Sequence, residues 1–192
     1  MINSIKKITF ESIAAGFAIG LGGCAFLAAE NKYLGAFLFS LGLLAVCGLH
    51  FKLYTGMVSY HNNSAALLAV VLIGNWIGAW ICGTLFAFAK PLHVGVAKDI
   101  CRAKLGESWR VIILGFFCNI LIYLAVEGYK RKMYILLILC VMGFILSGFE
   151  HCIANMFYFT VANIFAPGYI VLNILGNTLG GVTIRLLKEG LA

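Results

Sequence analysis

Apolar residues occupy this chain in runs too long for a soluble core, separated by short polar punctuation. A helix needs about 20 mostly apolar residues to cross a bilayer, and several runs approach that length. Ser12 to Ala29 reads as a first span, Glu30-Asn31-Lys32 as a connection, and Tyr33 to Leu49 as a second span. The second run stops at His50-Phe51-Lys52 and resumes as Leu53 to Tyr60, a piece too short to cross alone. A charged interruption followed by a half-length apolar piece predicts a re-entrant or discontinuous helix. His61 to Ser64 is a turn, and Ala65 to Ala89 is the third span. Lys90 to Arg110 is the longest polar connection, and Val111 to Val126 is the fourth span. After the basic turn Glu127 to Lys132, a fifth element runs from Met133 to Ala166, interrupted at Glu150-His151. Pro167-Gly168 turns the chain into a sixth span, Tyr169 to Ile184, and Arg185 to Ala192 is a polar tail.

The predicted architecture is therefore an all-α integral membrane protein. It has six transmembrane helices, the second and fifth of them broken, in one domain over residues 1–192. An internal repeat supports this. Gly74-Asn75-Trp76-Ile77-Gly78-Ala79 matches Gly176-Asn177-Thr178-Leu179-Gly180-Gly181 at an offset of 102, and the breaks match at His50 and His151, 101 apart. Halves of three helices each must be inverted relative to one another, because three is odd; they cover roughly residues 10–89 and 108–187. Paired interruptions in inverted repeats point to a site near the bilayer midplane.

Composition agrees. The 192 residues are 62% hydrophobic and 11% charged, which excludes a soluble domain. The net charge of +7 belongs to loops and topology rather than to nucleic-acid binding. Seven cysteines include no CxxC, and Cys24, Cys47, Cys82, Cys118 and Cys140 lie inside apolar runs, where cysteine is a small hydrophobe. No metal and no cofactor is expected. Lys6 and Lys7 precede the first apolar run without a small-residue cleavage site, so a retained first helix is expected rather than a signal peptide. With both termini cytoplasmic, seven basic residues fall inside (Lys6, Lys7, Lys130, Arg131, Lys132, Arg185, Lys188) and six outside (Lys32, Lys90, Lys98, Arg102, Lys104, Arg110). That margin barely decides the orientation in a cell membrane.

The chemistry concentrates in Ser147-Gly148-Phe149-Glu150-His151-Cys152-Ile153-Ala154-Asn155-Met156. Each ionisable group at membrane depth costs about 2.5–3.5 kcal/mol on insertion scales, so such groups mark a pathway or a relay. If the second halves of the broken helices begin near Thr55 and Cys152, their free N–H groups face an anion. Lys104 and its neighbours then concentrate anions at one mouth, or Lys98 to Arg110 is simply a solvated loop. His151 is the residue best able to change protonation near neutral pH. It either relays a proton to a passing weak-acid anion or stands neutral and holds the break. Glu150 is expected to brace the break by satisfying its backbone N–H groups, since an uncompensated carboxylate repels anions. Asn75, Asn119 and Asn177 lie mid-span, either bonding the freed backbone or gluing helices together. Gly16, Gly20, Gly74, Gly78, Gly176 and Gly180 allow close helix contact.

These residues resemble the formate/nitrite transporter family. The Ser147–Met156 stretch looks like its fifth-helix signature, and Leu53-Tyr54-Thr55-Gly56 looks like its second-helix loop motif. Phe116-Phe117-Cys118-Asn119-Ile120-Leu121 and Gly176-Asn177-Thr178-Leu179-Gly180-Gly181 resemble its fourth- and sixth-helix motifs. The resemblance implies aquaporin-like six-helix subunits in a homopentamer, one pore per subunit, passing formate, nitrite or hydrosulfide. By position it puts the central histidine on His151, the loop threonine on Thr55, and the pore and sixth-helix amides on Asn119 and Asn177. It puts the constrictions on Leu43 with Tyr54 and on Phe144, and the vestibule lysine on Lys104. Two features depart from the family: Tyr54 stands where Phe is common, and the longer N-terminal helix and most of the connection before the sixth helix are missing.

The sequence thus points to a channel for small monovalent weak-acid anions with His151 coupling passage to protonation, and not to an enzyme. The partners expected are further copies of the chain, the bilayer and small inorganic or carboxylate anions, with no nucleic acid. The alternatives are a neutral-solute channel for water, ammonia or hydrogen sulfide using His50 with His151, and, more remotely, a membrane enzyme built on Glu150 and His151.

Overall fold

The computed structural model describes residues 2–106 and 108–190, so Met1, Glu107 and the last two residues of the polar tail lie outside it. Among the described residues all regular structure is helical. The helices are α1 (Ile2–Ala28), α2 (Lys32–Gly48), α3 (Tyr54–Met57), α4 (Ala65–Ala89), α5 (Leu92–Leu105), α6 (Val111–Lys130), α7 (Tyr134–Leu146), α8 (Cys152–Ala162) and α9 (Pro167–Glu189). Among the described residues, four stretches are long and apolar enough to cross a membrane: Ile5–Ala28, Ala65–Ala89, Val111–Lys130 and Pro167–Glu189. α2, α7 and α8 are shorter apolar helices. Large apolar side chains cover the outside, including Leu41, Ile73, Trp76, Trp80, Leu85, Ile135 and Leu139. Water would not tolerate so continuous an apolar exterior, and lipid would. This is a membrane protein.

Local chemistry sets the helix ends. Asn31 caps α2, its Oδ1 accepting from Tyr33 N at 2.8 Å and Leu34 N at 3.1 Å. Ser64 caps α4 by accepting from Leu67 N at 3.2 Å. Pro167 opens α9, where its missing N–H costs nothing. α8 ends on Asn163 in the left-handed conformation.

Glycines bring two helix pairs into backbone contact. A Cβ on Gly16 would overlap Asn75 O, and one on Gly78 would overlap Ile13 O, so α1 lies directly on α4. A Cβ on Gly176 would overlap Ile112 O, and one on Gly180 would overlap Phe116 O, so α6 lies on α9 in the same way. Small residues at four-residue spacing allow this approach, as membrane helix pairs require.

One expectation needs correction here. Lys90 to Arg110 is not merely a polar connection: Leu92–Leu105 forms α5, which packs against α8 and buries Ala97 and Cys101. Those two positions, with Val94, Ile100 and Leu105 partly buried, give α5 one apolar face to lay on the protein.

Candidate functional site at the paired helix interruptions

The two interruptions are built alike, residue by residue. α2 ends as Leu49 passes to His50 at φ +57, and Phe51 N donates to Val46 O at 2.9 Å. α7 ends as Ser147 passes to Gly148 at φ +71, and Phe149 N donates to Phe144 O at 2.9 Å. Both are left-handed helix ends closed by the same local turn bond, and only at Gly148 is that conformation free of a Cβ penalty. Beyond each turn an asparagine clamps the chain. Asn75 donates through Nδ2 to Lys52 O and to Ser12 O on α1, both at 2.8 Å, and its Oδ1 accepts from Tyr54 N at 2.8 Å. Asn177 donates through Nδ2 to Glu150 O and to Gly115 O on α6, both at 2.8 Å, and its Oδ1 accepts from Cys152 N at 2.9 Å. Each amide is fully buried and satisfies the carbonyl before the interruption and the N–H after it.

This correspondence changes the earlier reading in two respects. Leu53, not His50, occupies the place equivalent to His151, and His50 corresponds to Gly148. His50 is exposed in the wall of one cavity while His151 lines another, so the structure does not pair the two histidines. Three of the first N–H groups of the resumed helices are also not left for an anion. Tyr54 N and Cys152 N go to the asparagines, and Ala154 N donates to His151 Nδ1 at 3.1 Å.

That last bond fixes the tautomer of His151. Nδ1 accepts a backbone N–H, so in the neutral ring the proton sits on Nε2. Nε2 lies 2.9 Å from Thr55 Oγ1, and its N–H therefore donates to the threonine. The tip of α3 thus touches the start of α8. The His151 ring also stacks on Phe144, with centroids 5.9 Å apart and planes at 22°.

Cavities approach this contact from two sides. The smaller, about 150 Å³, is lined by Phe39, Phe144, His151, Asn155, Tyr158 and Lys104, among others. The larger, about 640 Å³, is lined by Leu43, Leu53, His50, Lys52, Lys130 and Lys132, among others. Phe39 and Leu43 are one α2 turn apart, so the two cavities stop on neighbouring turns of the same helix. Phe39 meets Phe144 edge-on at 5.9 Å across the smaller one. Tyr54 lines neither cavity. Its hydroxyl is 2.7 Å from Thr178 Oγ1, which itself donates to Ile174 O at 2.7 Å. Thr178 has one hydroxyl proton and spends it on the carbonyl, so Tyr54 is the donor.

Glu150 braces the break differently from the expectation. Its carboxylate takes no backbone N–H of the break. It accepts from Lys104 Nζ at 2.6 and 2.5 Å and from Asn155 Nδ2 at 2.7 Å. Asn155 also donates to Asn173 Oδ1 at 2.6 Å, and Asn173 Nδ2 returns to Glu150 O at 2.7 Å. Lys104 therefore lines the smaller cavity with its charge balanced by Glu150. The lysines of the larger cavity are partly paired as well: Lys52 lies 3.9 Å from Glu11 and Lys130 lies 3.0 Å from Glu127, while Lys132 has no ion pair among the described residues. Asn119 is fully buried next to Gly181 and Ser59, and its amide finds no hydrogen-bond partner among the described residues.

Sequence reasoning gave no role to Phe39, Leu53, Asn155 or Asn173. Two of these carried a usable signal. Phe39 and Asn173 each lie four residues before a residue already singled out, Leu43 and Asn177, and so share its helix face.

Paired clamps, a buried polar contact and an apolar exterior define a polytopic helical membrane protein with two converging cavities. The chain belongs to the formate/nitrite transporter family, whose model matches residues 1–187. It is 28% identical over 172 residues to the formate channel FocA of Haemophilus influenzae, covering 78% of this chain and 57% of that protein. It is 29% identical over 154 residues to the nitrite transporter NirC of Escherichia coli K12, covering 69% of this chain and 56% of that protein. The chain thus spans little more than half the length of these curated relatives. A solved pentameric formate channel with formate bound superposes with a TM-score of 0.84 at 25% identity, covering 98% of this chain and 97% of that one. A second ion channel of the same family superposes with a TM-score of 0.80.

Proposed function

We propose that this protein conducts small monovalent weak-acid anions, formate, nitrite or hydrosulfide, through a pore in each subunit of a homopentamer. The observation that carries the reading is the buried Thr55–His151 hydrogen bond standing between two cavities. Family membership and the likeness to a pentameric formate channel support it. In this reading α2 with α3 and α7 with α8 are two broken spans. Six passes result, in inverted halves over roughly residues 10–89 and 108–187 of a single transmembrane domain. The protein sits in the cell membrane with both termini cytoplasmic.

The apolar constrictions are Leu43 with Leu53 and Tyr54 on one side, and Phe144 with Phe39 on the other. A bare anion crosses such rings poorly, because leaving water for an apolar passage penalises charge. Lys132 in the wall of the larger cavity attracts anions at long range, while Lys52, Lys130 and, at the smaller cavity, Lys104 are paired with Glu11, Glu127 and Glu150. On reaching the centre, an anion replaces Thr55 Oγ1 as acceptor of the Nε2 proton and shares it. Complete transfer requires the ring to be charged first, with a second proton on Nδ1. That proton displaces the Ala154 N–H, so protonation of His151 releases the cap of α8. Asn119 supplies an unengaged amide deep in the bundle, and Asn177 and Glu150 keep the break in shape.

The reaction class is transport, without a chemical product. A stopped-flow panel of formate, nitrite, acetate and hydrosulfide with purified protein in liposomes, across pH, tests this. Weak-acid flux rising as the external pH falls supports the reading. Sodium or potassium conductance without weak-acid flux would overturn it. The neutral-solute alternative loses its motive, since His50 and His151 line separate cavities.

A further inference from the structure

Cys24 on α1 and Cys82 on α4 stand with their sulfurs 3.8 Å apart. Both are free thiols, and among the described residues no other cysteine pair makes such a contact. Their backbones are close for a separate reason. α1 and α4 touch through Gly16, Gly74 and Gly78, and one turn before Cys24 a Cβ on Gly20 would lie 2.7 Å from Cys82 Cβ and 2.8 Å from its Sγ. Gly20 and Cys24 are four residues apart and face α4 together. The helix crossing, rather than side-chain reach alone, therefore holds the two thiols in register. Cys82 is buried and Cys24 half-buried, and neither lines the cavities on either side of His151.

We propose that Cys24 and Cys82 form a redox pair that closes to a disulfide and staples α1 to α4. A disulfide needs about 2.05 Å between sulfurs, so the two sulfurs, 3.8 Å apart, must each move by less than a bond length. The oxidant is a small uncharged peroxide able to enter an apolar site. One thiol gives up its proton and attacks a peroxide oxygen; the O–O bond breaks, and the leaving hydroxide takes that proton, giving a sulfenic acid and water. The second thiol attacks that sulfur and expels a second water. Two thiols and one hydrogen peroxide thus become one disulfide and two waters, with both sulfurs oxidised and the peroxide reduced.

The staple would join the same two helices that hold the first interruption, since Asn75 on α4 bonds Ser12 O on α1 and Lys52 N donates to Glu11 O at 3.3 Å. It would therefore raise the thermal stability of the protein without entering the pore.

The full-length chain in liposomes, treated with hydrogen peroxide, alkylated and digested, tests this by mass spectrometry. The expected result is a Cys24–Cys82 linked peptide as the dominant oxidation product, with a higher Tm that a reductant reverses. Cys24→Ser and Cys82→Ser should each abolish the linked peptide, and Cys47→Ser should leave it. Cys24 and Cys82 recovered as alkylated thiols, as separate sulfinic acids, or in links to other cysteines would overturn the proposal. The wild-type measurement stands even if a serine variant fails to fold.

Discussion

The Nε2 proton of His151 rests on Thr55 Oγ1, 2.9 Å away, so the two interruptions meet through one hydrogen bond between α3 and α8. Both partners are buried, and neither has bulk water as an alternative. Thr55→Val keeps the shape and removes the acceptor. A buried donor left without a partner costs about 1–3 kcal/mol, and the pore then loses its resting partner for the histidine. The expected outcome is an altered pH profile of flux with the protein still folded. Flux and pH profile identical to the wild type would show that the threonine does not act on His151.

Asn177→Ala should destabilise more than any exposed substitution. It strands Cys152 N and removes one of the two amides on Glu150 O, which keeps Asn173, and a buried orphan costs about 1–3 kcal/mol where no water reaches it. Asn75→Ala strands Tyr54 N and Lys52 O in the same way. Thermal unfolding in detergent should show similar losses for the two variants. A large loss for one and none for the other would break the equivalence drawn between the interruptions.

Tyr54→Phe removes the hydrogen bond to Thr178 and leaves the ring. An ordinary hydrogen bond contributes about 0.5–1.5 kcal/mol, so folding should survive with a small fall in Tm. Because the bond ties α3 to α9, selectivity among formate, nitrite and hydrosulfide should change more than stability does. A competition assay of the three anions checks this, and an unchanged selectivity ratio would count against it.

Glu150→Gln leaves Lys104 with its charge but without its carboxylate, in a position 18% exposed. Breaking a buried pair on one side costs about 3–5 kcal/mol, so this variant should express poorly. Adding Lys104→Met should recover much of the loss. If the double variant is no better than Glu150→Gln, the pair does not act as a unit.

The long runs made the spans legible, because twenty apolar residues admit few other readings. The glycine and asparagine repeat also carried through: Gly78 and Gly180 sit on carbonyls, and Asn75 and Asn177 clamp corresponding carbonyl and N–H groups. The register of the interruptions was not legible. His50 and His151 match as letters, whereas the backbone aligns His50 with Gly148, since both follow a helix end in the left-handed conformation. Only φ angles and turn bonds reveal that. α5 was hidden for another reason: its apolar face is short, and its charges look like those of a solvated loop. The partner of Glu150 was hidden because Lys104 is 46 residues away in sequence, and no local pattern links a lysine on α5 to a carboxylate between α7 and α8.

The central claim is that His151 couples anion passage to a proton, and proton movement recorded during formate uptake tests it most directly. Liposomes carrying the protein and a pH-sensitive dye are given a formate gradient at fixed external pH, with wild type and His151→Ala compared for folding beforehand. The expected result is formate-driven internal acidification in the wild type, steeper at lower external pH, and at least tenfold slower in His151→Ala. Equal acidification by the folded His151→Ala protein would contradict the claim.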